Sequence, residues 1–218
     1  MKTIHTDGIS YIEPVPGGTS GWYFGVSLEH GDLYEAEEIC SDGFPVEGNS
    51  LVLIRYPDGA VFRPLPKQAG TYSDTPVFLD GSIFCLNVDF LRQLIRIVRF
   101  DCKSGEVRTE AELPLGAVKN CYNLKLHTSP LCLTRQGDDD VFEILTAPND
   151  FSTVRENLEK QGITFLSAEV AKIPQNTVAV SDPDTILKIQ KMLDLLEEND
   201  DVQNVFHNAD LPDEEEDE

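Results

Sequence analysis

The chain is short of the residues that most often do chemistry. It has 218 residues with four histidines, one tryptophan and two methionines, and 17 Lys and Arg against 39 Asp and Glu. The five cysteines, Cys40, Cys85, Cys102, Cys121 and Cys132, are an odd number with no CxxC pair. That excludes a disulfide framework and a zinc ribbon. Cys85, Cys102 and Cys132 lie in apolar, strand-like runs, so buried free thiols are expected. No run of apolar residues is long enough to cross a bilayer, and no charged and apolar leader pattern follows Met1. A soluble, cytoplasmic protein without membrane contact is therefore expected.

Basic residues are scarcest toward the C-terminus. From Asp138 onward there are 22 acidic and 5 basic residues, 5 − 22 = −17, whereas residues 1 to 137 carry the remaining −5 of the total −22. A region at −17 repels a phosphate backbone, so direct nucleic-acid binding by the C-terminal part is not expected. The charge step near residue 138 suggests a junction between unlike pieces. The expected domains are 1–137, 141–208 and an acidic tail at 209–218.

Residues 1–137 offer short β-branched and aromatic runs broken by Gly, Pro, Asp and Asn, which predict antiparallel strands. In "YPDGAVF", Pro57, Asp58 and Gly59 make a turn joining 51–56 to 60–65. That hairpin has an echo downstream. Gly59-Ala60-Val61 matches Gly105-Glu106-Val107 at a spacing of 46, and Ser82, Cys85 and Leu86 match Ser129, Cys132 and Leu133 at 47. A period of this kind is what blade-like β units give, and two to three of them fit before residue 138. A small sandwich, an open array closed by a second copy, and a remnant of a longer repeat are all compatible with it. Glu35, Glu37 and Glu38 in "YEAEEI" read as the wet side of an edge strand, and His30 as part of a hairpin turn. "PGGTSG" at 16–21 lacks the Lys-Ser/Thr ending of a phosphate loop and reads as a turn.

Beyond residue 141 the periodicity changes. "VFEILT" is a strand, and a helix follows with Asp150 as N-cap, Phe151, Val154 and Leu158 on one face and Gly162 at its end. "ITFLSAEVAKI" and "NTVAVS" read as strands. A second helix follows Asp182 and Pro183, with Ile186, Ile189, Leu193 and Leu196 as its stripe and Asn199 as its stop, before a last strand "VQNVFH". The order βαββαβ is ferredoxin-like. The expected fold class is thus α+β: an antiparallel β-repeat, a ferredoxin-like module and a disordered acidic tail.

"AEVAKIPQNTV" at 168–178 and "DDVQNVFHN" at 200–208, with the helices between them, resemble the C-terminal part of the YebC/PmpR family. That family includes the mitochondrial translational activator of cytochrome oxidase subunit I. The resemblance implies a non-enzymatic regulator of gene expression, acting in transcription or at the ribosome. The family's basic N-terminal region, with its "GHSKW"-like opening, has no counterpart here. A protein or ribonucleoprotein partner is therefore expected, with Lys172, Gln175, Asn176, Gln203, Asn204 and His207 as the candidate contact residues. No catalytic group, metal site or cofactor is expected. The alternative is a β-repeat module binding a protein or ligand, with the YebC-like segment as an appendage.

Overall fold

From Glu13 to Leu145 the chain runs as short antiparallel strands whose alternation buries one face or both. The computed structural model describes residues 3–17, 21–28, 31–128, 130–136, 141–172, 174, 178–199 and 201–211. His30, Ser129, Gln175 and Asn176 and the tail beyond 211 lie outside them. The chain divides into two units, residues 1–170 and 171–218.

The first sheet has the order β1 (Glu13–Pro14), β2 (Trp22–Val26), β3 (Leu51–Arg55), β4 (Ala60–Phe62). Between β2 and β3 runs α1 (Leu33–Ser41), where the acidic run read as an edge strand. The local chemistry explains the difference. Asp32 accepts from the Glu35 amide at 2.9 Å and Glu35 accepts from the Asp32 amide at 2.7 Å, a reciprocal cap that satisfies two otherwise unpaired donors. Leu33, Ala36, Ile39 and Cys40 then fall on one packed face. Glu37, pointing elsewhere, accepts the amide of Cys121 at 2.7 Å and ties the helix to a segment far along the chain.

The second sheet runs β5 (Thr71–Ser73), β7 (Ser82–Asp89), β8 (Leu94–Asp101), β9 (Val107–Pro114), with β6 (Val77–Leu79) also paired to β7. Strand β7 is buried along its whole length. Ile83 and Cys85 enter a cluster with Trp22, Phe24, Leu51 and Leu53 of the first sheet. Phe84, Leu86 and Val88 face the other way, into a cluster with α1 and with Leu126 and Leu133. The side-chain period of two thus feeds two cores from one strand. Trp22, Phe62 and Phe100 close the first core with ring centroids 5.2 to 5.5 Å apart.

The expected hairpin at 51–65 forms, closing at the Arg55–Ala60 pair with Tyr56–Pro57 cis, whereas its downstream counterpart closes at Phe100–Val107 around a longer loop; the two share a glycine closure but not a common turn. Gly59 donates to the Arg55 carbonyl at 2.8 Å and Gly105 to that of Asp101 at 2.8 Å, both with positive φ. All five cysteines are free, with Cys85, Cys121 and Cys132 buried and Cys102 half-buried just beyond β8.

The third sheet is β10 (Lys125–Thr128), β11 (Leu131–Gln136), β12 (Phe142–Leu145). The charge step at residue 138 therefore falls between two paired strands. Arg135, nearly buried, reaches across to Glu143 at 2.9 Å, and Leu126, Leu133 and Leu145 are matched in register across the three strands.

Helix α2 (Phe151–Lys160) begins at the expected Asp150, whose side chain makes no capping hydrogen bond. It ends at Gly162 (φ 83°), where the amides of Gly162 and Ile163 close on the carbonyls of Glu159 and Leu158. That closure takes Ile163 away from a ladder. Residues 163–172 form no strand, and Leu166 and Val170 are exposed.

The remaining elements belong to the second unit. β13 (Val178–Ala179) pairs in parallel with β14 (Ala209–Asp210), with α3 (Pro183–Glu197) between them in sequence. The expected single βαββαβ sheet is not what these residues form: β12 extends β11, while β13 and β14 make their own two-stranded ladder. The broader α+β class, with several antiparallel sheets and three helices among the described residues, stands. Ala209 and Asp210, expected to open the tail, are strand residues instead.

Candidate functional site

The described candidate residues gather in the second unit. Its helix starts as its sequence dictates: Asp182 accepts from the Thr185 amide at 3.0 Å and Pro183 occupies the first helical position, where its missing N–H costs nothing. At the other end Asn199 closes the chain, taking the Asp201 amide at 3.0 Å on its side chain and the Val202 amide at 2.8 Å on its carbonyl. Residues 202–208 then run without regular structure to β14.

This corrects the strand expected at "VQNVFH". Alternation would place Gln203, Val205 and His207 on one face and Val202, Asn204 and Phe206 on the other. Val202 and Val205 are instead the half-buried pair, a spacing of three, and Gln203, Asn204, Phe206 and His207 are exposed. Asn199 sets the turn that breaks the alternation, and strand pairing resumes only where Val178 donates to the Asn208 carbonyl at 2.8 Å. Gln203, Asn204 and His207 are thus all exposed on one loop. Lys172 is exposed and its ammonium lies 5.6 Å from the centroid of the Phe206 ring, at cation–π range. The structure thereby brings Lys172 to the loop that carries the other three.

The helix itself carries what the stripe of Ile186, Ile189, Leu193 and Leu196 did not anticipate. Ile186, Ile189 and Leu193 are half-buried, but no residue of α3 is fully buried. Leu187, Met192 and Leu195 lie off the stripe and are 52, 53 and 70% exposed. The signal was present in the count: seven of fifteen helix residues are apolar, too many for one stripe. No basic residue lies in the last turn, which carries Asp194 and Glu197, with Glu198 as cap.

In the first unit a cleft of about 440 Å³ opens where turns of the first two sheets meet. It is lined by Trp22, Arg55, Tyr56, Asp80, Asp101 and Lys103 among others. Two of the charges there, Arg55 and Asp101, are already engaged. The Arg55 guanidinium holds Asp58 at 2.7 Å and lies over the Trp22 and Phe62 rings, and Asp101 accepts the amides of Lys103 and Ser104. Among the described residues no His, Cys, Asp and Glu side chains are grouped to hold a metal ion. Among the same residues, no helix is long and apolar enough to cross a membrane.

Residues 115–209 match the family model of the TACO1/YebC second and third domain. Over 77 residues the chain is 58% identical to a probable transcriptional regulatory protein of Clostridium novyi, covering 35% of this chain and 31% of that protein. Over 71 residues it is 55% identical to one of Acetivibrio thermocellus, covering 33% and 29% respectively. A third, from Hathewaya histolytica, is 53% identical over 77 residues, with coverages of 35% and 31%. The chain thus spans about a third of the length of the curated relatives it matches. No solved structure matches it.

Proposed function

We propose that the chain is a non-enzymatic, cytoplasmic regulator of gene expression whose YebC-like segment is a contact surface for a protein or ribonucleoprotein. The observation that carries this is the 58% identity, over 77 residues, to a protein named as a probable transcriptional regulator. The loop presenting Gln203, Asn204 and His207, with Lys172 beside Phe206, supplies exposed polar groups for such a contact. Direct binding to a phosphate backbone by this part is disfavoured, because a region with 22 acidic and 5 basic residues has few cations to displace condensed counterions. The choice between transcription and translation follows from what the surface holds.

Recovery of the tagged full-length chain from lysate tests this. Ribosomal proteins, RNA or polymerase subunits are expected to come with it, and to be lost from a Q203A/N204A/H207A variant. Recovery of none of them removes the regulator reading. The second reading, a β-repeat module binding a protein or ligand, is favoured by the cleft between the first two sheets and by the shared glycine closures at Gly59 and Gly105, which fit two blade-like units. Under that reading, substitution of Tyr56, which is exposed at the cleft, abolishes recovery of the partner and substitution of His207 does not.

A further inference from the structure

A helix that is apolar on more than one side is ordinarily buried on more than one side. Among the described helices, α3 departs from this. Its ends are well formed, with the Asp182 cap and Pro183 at the start and the Asn199 turn at the finish, so it is a stable element. Yet it carries Leu187, Met192 and Leu195 outside its half-buried stripe, all more than half exposed. Exposing three such side chains leaves a sizeable hydrophobic driving force unspent.

The surroundings say what would cover it. Residues 171–218 hold 14 acidic and 3 basic residues, 3 − 14 = −11. Four of the carboxylates, Asp194, Glu197, Glu198 and Asp201, sit in or just beyond the last turn of α3, where the helix dipole already presents its negative end. Carboxylates there are unfavourable, and cations from outside would relieve them. A second copy of this chain would bring another −11 to the same place, and RNA or DNA would bring phosphates. Both are repelled by the same field.

We infer that α3 is a docking helix for a protein segment with an apolar face bordered by lysine and arginine, the apolar face covering Leu187, Met192 and Leu195 and the cations meeting the acidic C-terminal end. Recognition of this kind reads side chains at helical spacing in a groove or on a partner helix. The inference names the partner chemistry for the segment proposed above as a contact surface, and so rests on that reading.

The test uses the full-length chain and a synthetic helix-forming peptide of leucine and lysine in heptad pattern. A leucine–glutamate peptide of the same pattern and poly(U) RNA serve as competitors, and sedimentation follows self-association. Saturable binding of the lysine peptide is expected, weakened by salt and by E197K/E198K. L195D, at a position 70% exposed, is expected to weaken it about tenfold, the ratio that 1.4 kcal/mol gives. Attraction by charge alone would be strengthened by the extra carboxylate of L195D, so that variant separates docking from a diffuse electrostatic effect. Circular dichroism of both variants confirms that the helix persists. The inference is overturned if the lysine peptide does not bind, if L195D leaves its affinity unchanged or raises it, or if the glutamate peptide or poly(U) binds as well. A dimer of the native chain that L195D dissociates would equally overturn it, since a second copy would then be the cover. Peptide binding without recovery of gene-expression machinery from lysate would remove the regulator reading alone. Recovery that L195D does not affect, with no peptide binding, would remove the docking inference alone.

Discussion

Replacing Leu133 by alanine tests whether the span matching the YebC-type family model is built into the β-rich unit or merely attached to it. Leu133 is 3% exposed in β11, matched in register with Leu126 and Leu145, and belongs to the same core as Leu86 and Val88 of β7 and Leu33 of α1. Its truncation leaves a cavity among these side chains, for which Leu→Ala changes cost about 2–5 kcal/mol. The reporter lies elsewhere in the same unit: Trp22, the sole tryptophan, sits in the other core with Phe62 and Phe100, on the far side of β7. If the three sheets unfold together, the Trp22 fluorescence transition in urea moves with the Leu133 substitution. With a slope of about 1–3 kcal/mol per molar urea, a loss near 3 kcal/mol lowers the midpoint by about 1–3 M. Leu195→Ala on the exposed face of α3 serves as the control, expected to move the same transition by less than about 0.5 kcal/mol. A Trp22 midpoint that Leu133→Ala leaves in place would refute the packing argument, because the third sheet would then unfold on its own.

Asp89 is wholly buried and accepts from the Arg92 amide at 3.0 Å, the Arg92 guanidinium at 2.8 Å and that of Arg96 at 3.2 Å. Burial opposes its charge, but these donors outweigh burial and hold the carboxyl below its ordinary range. A lowered folded-state value gives stability that is present above the unfolded aspartate range and lost as pH falls through the folded one. Asp89→Asn is thus expected to cost about 1.5–3 kcal/mol at neutral pH, the worth of charged hydrogen bonds, and to flatten the acid limb of a urea-midpoint against pH plot. Burial pushes the Cys85 thiol up to about 12 and that of Cys102 up to about 11, so neither is expected to react with iodoacetamide at neutral pH until urea unfolds the unit; modification of Cys85 in the native chain, read by mass spectrometry, would contradict its placement. Asp32→Ala removes the side-chain acceptor of the α1 cap and is expected to lower stability by about 0.5–2 kcal/mol, with faster amide exchange confined to the first turn of that helix.

Local chemistry in this chain was legible where one motif decides an element. The "YPDGAVF" turn, the Asp182-Pro183 start of α3 and Gly162 at the end of α2 each name their own backbone conformation, and the structure has them there. Misreadings arose where two motifs compete for the same residues. "DLYEAEEI" has enough aromatic and apolar character for a strand, but the Asp32–Glu35 reciprocal cap and the spacing of Leu33, Ala36, Ile39 and Cys40 favour a helix. "ITFLSAEVAKI" carries the β-branched and aromatic residues of a strand, but its first amide is consumed in closing α2. In the first case both the helical spacing and the cap lie within the run itself, whereas in the second the deciding hydrogen bond reaches back to Leu158, outside the periodic window. Of the candidate contact residues, the pattern identified Lys172, Gln203, Asn204 and His207 as polar, but assigned the last three to alternating faces that a three-residue spacing of Val202 and Val205 replaces.

The family-matched residues are treated in two ways by this fold, and the contrast bears on which of them carry a function. Leu115, Val118, Leu124, Leu126 and Leu133 lie inside a core shared with α1 and β7, so their apolar character is accounted for by packing. Burial of that kind is a sufficient reason for a leucine, and nothing about recognition follows from it. From residue 171 onward the reverse holds. Lys172, Leu187, Met192, Leu195 and Phe206 are exposed, and no core requires them. An exposed apolar side chain standing singly is ordinary, but three on one well-capped helix whose other face is only half covered are not explained by the stability of the chain that carries them. Docking as proposed supplies the contact that these side chains lack among the described residues. Under the docking proposal the weight of recognition falls on α3 and the loop after it, and it is there, not in the buried leucines of the third sheet, that substitutions are expected to change binding without changing the Trp22 unfolding transition.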